Sequence, residues 1–127
     1  MIVGEKIYKV TGERKKFGAI KNFRINVDIK DVKVKGEDIE MTYNYTVTYE
    51  DGIGDLGIEG VLLAKEDKKT SKEIADTWKK EKKLPNQYMA GILRATIYSG
   101  SANGTLLARV MGFNAPFFPP SIKVDEK

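Results

Sequence analysis

The sequence predicts an α+β fold: a four-stranded antiparallel sheet followed by a short polar helix and a long apolar helix packed on one sheet face. Three observations carry that expectation. In "DIEMTYNYTVTYE" (38–50), Ile39, Met41, Tyr43, Tyr45, Val47 and Tyr49 hold every odd position and Glu40, Thr42, Asn44, Thr46 and Thr48 every even one. That period of two marks a strand with one buried face. Residues 65–83, "KEDKKTSKEIADTWKKEKK", carry eight lysines against five acids and little apolar area. Residues 86–112, "NQYMAGILRATIYSGSANGTLLARVMG", hold only two charges, Arg94 and Arg109, in a chain that is 31% charged.

The opening "KIYKVTGE" supplies one strand. Phe23, Ile25, Val27 and Ile29 alternate as a second, and the apolar parity then shifts to Val32 and Val34, which predicts a bulge or bend near Lys30-Asp31. Lys35-Gly36-Glu37-Asp38 closes a hairpin into the long strand, and "DGIGDLG" turns the chain into "LGIEGVLLAKE", a strand diluted by glycine. Within that turn Gly52-x-Gly54-x-x-Gly57 has the spacing of a dinucleotide fingerprint. The fingerprint needs a helix N-terminus after its glycines to hold the pyrophosphate, and here a strand follows, so the glycines are read as turn residues.

Thr70 with Glu73 forms a capping box, which predicts a short helix starting at Thr70 whose apolar stripe is Ile74 and Trp78. Pro85 suits the first turn of a second, longer helix. Along it Met89, Ile92, Leu93, Thr96, Ile97 and Gly100 form the face expected on the sheet. Tyr88, Gly91, Ala95, Ser99 and Ala102 form a second face of mostly small residues, expected to be an oligomer interface, because a helix charged on neither side needs partners on both. The alternative is that another segment of the same chain covers this face. Asn103-Gly104 leaves open whether one helix or two follow Pro85.

The 127 residues suffice for a single domain spanning 1–127. Cysteine and histidine are both absent, which removes disulfides, thiolate metal sites and the usual catalytic triads. No cofactor is expected. Asp51 and Asp55, in the glycine-rich turn, are the only close acidic pair worth weighing for catalysis, and paired acids in turns ordinarily bind backbone donors or water. The chain is therefore read as not an enzyme. The net charge is +4, from densely mixed signs. Two basic clusters, Arg14-Lys15-Lys16 and Lys79-Lys80 with Lys82-Lys83, support an alternative reading as a basic nucleic-acid or ribosome-associated binding protein. No apolar run approaches a membrane span, and the N-terminal residues lack a signal-peptide pattern, so a cytoplasmic protein without membrane insertion is expected.

Near the end of the chain "GFNAPFFPP" (112–120) concentrates Phe113, Phe117 and Phe118 among prolines. Proline there holds the chain extended while preventing full strand pairing. With Trp78 and Ile74, these three phenylalanines are expected to line a shallow aromatic groove for unfolded or extended polypeptide.

The order of elements, with Pro85-Asn86 opening the long helix and Gly112 followed by Phe118-Pro119-Pro120, resembles the SecB family of export chaperones. The resemblance implies a holdase, a homotetramer built as a dimer of dimers with long helices packed between two sheets, and unfolded polypeptide clients. It implies service either in export or in guarding an antitoxin. Two departures stand against a full carry-over: the sequence has no counterpart of the family's C-terminal helix and tail before Lys127, and it is basic where export chaperones dock their motor through carboxylates.

Overall fold

The computed structural model describes residues 1–116. Strands β1 (Ile2–Arg14), β2 (Phe23–Lys35), β3 (Asp38–Tyr49) and β4 (Gly54–Lys65) form one antiparallel sheet in the order β1-β4-β3-β2, and helices α1 (Lys68–Glu81) and α2 (Asn86–Met111) follow. The α+β class and the antiparallel four-stranded sheet are as the sequence predicts. Strict alternation puts β3 inside: Ile39, Met41, Tyr43, Tyr45, Val47 and Tyr49 are all buried on the side that carries the helices. Their partners on β4, among them Leu56, Ile58, Leu62 and Ala64, are buried on the same side. The opposite side presents Thr42, Asn44, Thr46 and Thr48, in keeping with an antiparallel sheet that faces water on one side.

The parity shift in β2 is a register shift between Ile29 and Asp31. A single 3₁₀ turn at Glu50–Gly52 joins β3 to β4, with Asp51 at φ 64° and Gly52 at φ 69°. A strand and no helix follows these glycines, and Gly54 serves close contact: a Cβ there would collide with the carbonyl oxygen of Glu13 on β1. Because β1 and β2 are opposite edges, residues 15–22 cross the end of the sheet, pinned by Lys15 N–H to Ile53 O at 2.7 Å and Glu50 N–H to Asn22 O at 3.0 Å.

Helix α1 starts at Lys68, ahead of the Thr70 start read from the capping box. Asp67 is the N-cap and its carboxylate accepts the Thr70 N–H at 2.7 Å, so Thr70 is the donor in the cap and the aspartate supplies the acceptor. The bond holds the Asp67 carboxyl below its ordinary value. Ser71, Ile74 and Trp78 form the buried stripe, and α1 packs chiefly on β2.

Helix α2 has 26 residues, about 39 Å at the α-helical rise. That matches a strand of 12 residues such as β4, about 40 Å long. The helix covers β4 and β1 from the Ile2 end, where Tyr88 and Ile92 stand beside Met1 and Ile2, to the far end, where Met111 meets Gly12. Its buried seam steps by four: Ile92, Thr96, Gly100, Gly104 and Ala108, joined by Ser101. A Cβ on Gly100 would run into the Tyr45 ring, and one on Gly104 would fall 2.9 Å from Pro116. Asn103-Gly104 therefore does not break the helix; Gly104 is a point of close approach. The expected sheet face is met at Ile92, Thr96 and Gly100, while Met89 and Leu93 are half-buried and Ile97 lies towards solvent.

Two glycines of α2 give opposite expectations for the same substitution. Gly91 is exposed with open space beyond it, so Gly91→Ala should stabilise by up to about 1 kcal/mol through helix propensity alone. Gly100→Ala gains the same propensity but drives a methyl into a buried ring, and overpacking of that kind costs roughly 1–3 kcal/mol, so the net effect should be destabilising. Thermal or urea unfolding of the two variants checks the difference in sign.

Candidate binding surface

The C-terminal end of α2 is held by Arg14. Gly112 (φ 72°) ends the helix, and the Phe113 N–H returns to Ala108 O at 2.8 Å. Arg14 Nη2 donates to the carbonyls of Met111 at 2.9 Å and Gly112 at 2.8 Å, placing a cation where the helix dipole is negative. Its guanidinium carbon lies over two rings, 4.8 Å from the Phe113 centroid and 5.0 Å from that of Phe17. Phe113 stacks on Tyr49 with centroids 4.5 Å apart, the Tyr49 hydroxyl donates to the Asn114 carbonyl, and Pro116 is buried against Gly104. From Gly112 to the level of Gly104 the chain has thus turned back along α2 by about 12 Å.

The buried tyrosines of β3 are tied in by their hydroxyls. Tyr43 donates to Glu5 of β1, and Glu5 also accepts from Ser99 of α2, so one carboxylate links strand edge, sheet centre and helix. Tyr45 and Ser101 share a hydrogen bond of 3.0 Å. Burial raises all three phenols above their ordinary value. For Tyr43 the Glu5 hydrogen bond and charge add to the rise, for Tyr45 the Ser101 bond opposes it, and Tyr49 is pushed up to about 12 with Tyr45 contributing.

The residues expected to form an aromatic groove are placed differently. Ile74 and Trp78 are buried between α1 and the sheet, and Phe113 is buried on Tyr49, so these three belong to the core and not to an open groove. Each finds apolar neighbours within the chain, which the irregular or weakly amphipathic context of these residues does not suggest. Phe117 and Phe118 lie outside the described residues. The expected interface stripe follows the flank of α2 nearest β1. Tyr88 and Gly91 line a small apolar cavity of about 210 Å³ with Met1, Ile2 and Ile92. Among the described residues the buried Tyr88 hydroxyl has no hydrogen-bond partner. Ala95 is half-buried, Ser99 is bonded to Glu5, and Ala102 is exposed.

The outward side of α2 is instead a row of residues four apart: Arg94, Tyr98, Ala102, Leu106 and Val110, all exposed. Tyr98 is 78%, Leu106 62% and Val110 84% accessible. Steps of four advance about 40° beyond each turn, so both the buried seam and this outward ridge wind slowly round the helix, as a straight helix on a twisted sheet requires. The stripe read from mixed spacings of three and four meets the ridge only at Ala102. Spacing by four from Arg94 is the signal that would have found it. On the edge strand, Ile7 and Val10 sit opposite Gly60 and Ile58, hence on the helical side, yet both stay exposed.

Asp51 and Asp55 line an open cavity of about 480 Å³ together with Lys15, Arg24, Thr48 and Glu50. Lys15 Nζ stands 3.6 Å from Asp55. Among the described residues no group of acids could hold a metal ion. Within the basic clusters Lys83 meets Glu81 at 3.5 Å and Lys15 meets Asp55 at 3.6 Å, while Arg14 is engaged by helix carbonyls. Among the described residues no helix is long and apolar enough to cross a membrane. Compared with protein-family models, with curated proteins and with solved structures, the chain matches none.

The raised tyrosines set a pH dependence. Above the ordinary phenol value of 10.0 an unfolded tyrosine loses its proton while Tyr43, Tyr45 and Tyr49 in the fold keep theirs. The unfolded state then binds fewer protons, so stability from these groups is complete below about pH 10 and falls as pH rises through the folded values. Melting temperature measured from pH 8 upward should decline more steeply past about pH 10 in the wild type than in Tyr49→Phe, which lacks one of the linked protons.

Proposed function

We propose that this chain is a non-catalytic holdase that assembles through α2 and holds apolar segments of unfolded polypeptide. The observation that carries the reading is the exposed apolar ridge of Tyr98, Leu106 and Val110 on the outward side of α2. Leaving Tyr98, Leu106 and Val110 in water forgoes roughly 1.5–3 kcal/mol each, a large part of a typical domain stability of about 5–15 kcal/mol. A second copy removes that surface from water. Rows spaced by four are the ridges that interdigitate when two helices pack, and Ala102 in the middle of this one lets the backbones approach.

The SecB resemblance supports the same reading. Pro85 caps the start of α2 and Gly112 its end, so the patches that carry the resemblance bracket the helix on which assembly depends. In that family long helices lie between two sheets, and a ridge on the side of α2 away from its own sheet suits such a layer. Client affinity then arises from apolar area, with low sequence specificity.

The test is suppression of aggregation of an unfolded protein by the 127-residue chain. Suppression should persist as salt rises from about 50 to 200 mM, a range over which binding driven by phosphate contacts falls by orders of magnitude. Leu106→Glu with Val110→Glu should abolish it while leaving the far-ultraviolet spectrum of the fold unchanged. Absence of suppression by the wild type, or binding to nucleic acid that disappears across that salt range, would overturn the proposal in favour of a basic nucleic-acid partner.

A further inference from the structure

We infer that two copies of α2 pair antiparallel about a two-fold axis midway between Tyr98 and Ala102, so that Tyr98 of each copy lies on Ala102 of the other. This rests on the assembly through α2 proposed above, and adds its direction and its register. The sizes of the outward side chains and the distribution of charge along the helix both favour it.

The outward row extends one turn before Arg94, because Ala90 is exposed like Arg94, Tyr98, Ala102, Leu106 and Val110. Its side chains are small at Ala90 and Ala102 and large at Arg94, Tyr98 and Leu106. A contact that fills space sets large residues against small ones. The antiparallel pair does this: Tyr98 lies on the second copy's Ala102, and Val110 reaches the second copy's Ala90. Between them the methylene stem of Arg94 runs along the second copy's Leu106 with its charged head in water. A parallel pair instead sets every residue against itself. Tyr98 then crowds Tyr98 while Ala102 on Ala102 leaves a gap, and neither fault is relieved by the other.

Charge separates the two directions as well. Arg109 in the last turn of α2, and Arg14 on the carbonyls that end it, make the C-terminal end of the helix basic. The start of α2 adjoins acids: Glu73 and Glu81 line a cavity of about 290 Å³ with Lys83, Pro85, Asn86 and Gln87. Glu81 is paired with Lys83, and Glu73 has no ion pair among the described residues. A parallel pair gathers both basic ends and sets Arg94 on Arg94. In the antiparallel pair the two Arg94 positions are about 18 Å apart along the helix, and each basic end turns towards the acidic start of the other copy.

The winding of the row sets the extent of the contact. Each step of four carries it about 40° round the helix, so Tyr98 and Ala102 are central, Arg94 and Leu106 flank them, and Ala90 and Val110 stand at the rim. Two such rows lie alongside one another when the helices cross at about −50°. A two-fold contact uses the same patch on both copies, so it closes at two chains and leaves no second patch of this kind unmet.

The absence of cysteine from the 127-residue chain makes the test direct. When Tyr98→Cys chains are mixed with Ala102→Cys chains, mild oxidation should give two-chain disulfides on a denaturing gel at least about tenfold faster than either variant alone, since the mixed pair alone brings the Cα atoms within the roughly 4.4–6.8 Å that a disulfide needs. Sedimentation equilibrium of two charge variants gives an independent reading that needs no cysteine. Leu106→Lys should weaken association about tenfold more than Leu106→Glu, because the second copy's Arg94 repels the one and attracts the other, and adding Arg94→Ala should remove the difference. Self-cross-linking of each single variant as fast as the mixture, or equal weakening by the two charges, overturns the antiparallel register and leaves assembly through α2 intact. A mass of several chains without cross-linking at either position overturns the pairing and moves assembly to another surface. A mass of one chain at every concentration refutes the assembly on which the pairing rests.

Discussion

The close seating of α2 on Tyr45 is the contact on which the rest of the architecture depends. Gly100 and Gly104 present bare backbone to that ring, and with Thr96 and Ala108 they make a seam of small side chains stepping by four. A larger residue at Gly100 would meet the Tyr45 ring, and one at Gly104 would meet Pro116. With the helix this low, its buried side is narrow and slides round the axis, and the same geometry turns Tyr98, Leu106 and Val110 outwards. The depth of the seat also leaves room beside Gly104 for Pro116, so the returning chain packs against the helix it has just left.

Polar ties fix the two long edges of that contact without filling it. Glu5 gathers the Tyr43 and Ser99 hydroxyls on the β1 flank, and Arg14 holds the last carbonyls of α2 while lying over the Phe17 and Phe113 rings. Both come from β1, an edge strand of 13 residues whose ladder bonds run to β4 alone. Buried hydroxyls satisfied in this way specify one seating of the helix, because a slide by one turn would leave them without partners.

How much of this fold is legible in the residues depends on how local the governing signal is. The strict alternation of β3, the parity change at Asp31 and the opening of α2 at Pro85 are short-range features, and each appears where the sequence places it. The start of α1 differs because two cap signals overlap there, and the aspartate at 67 takes the Thr70 N–H. The outward stripe of α2 differs because mixed spacings of three and four describe a straight seam, whereas this seam winds. The burial of Ile74, Trp78 and Phe113 is illegible for another reason: it depends on β2 and Tyr49, far away in sequence, and on an edge order that places β1 and β2 on opposite sides.

The seating of α2 on its sheet leaves an apolar ridge of Tyr98, Leu106 and Val110 facing water. The decisive quantity is the mass of the 127-residue chain in dilute solution, measured by sedimentation equilibrium. Assembly through α2, as proposed, predicts a mass of at least twice 14.2 kDa that falls to one chain when Val110 is replaced by glutamate. A mass of 14.2 kDa at every concentration would mean that the ridge is satisfied by water, and would contradict the account.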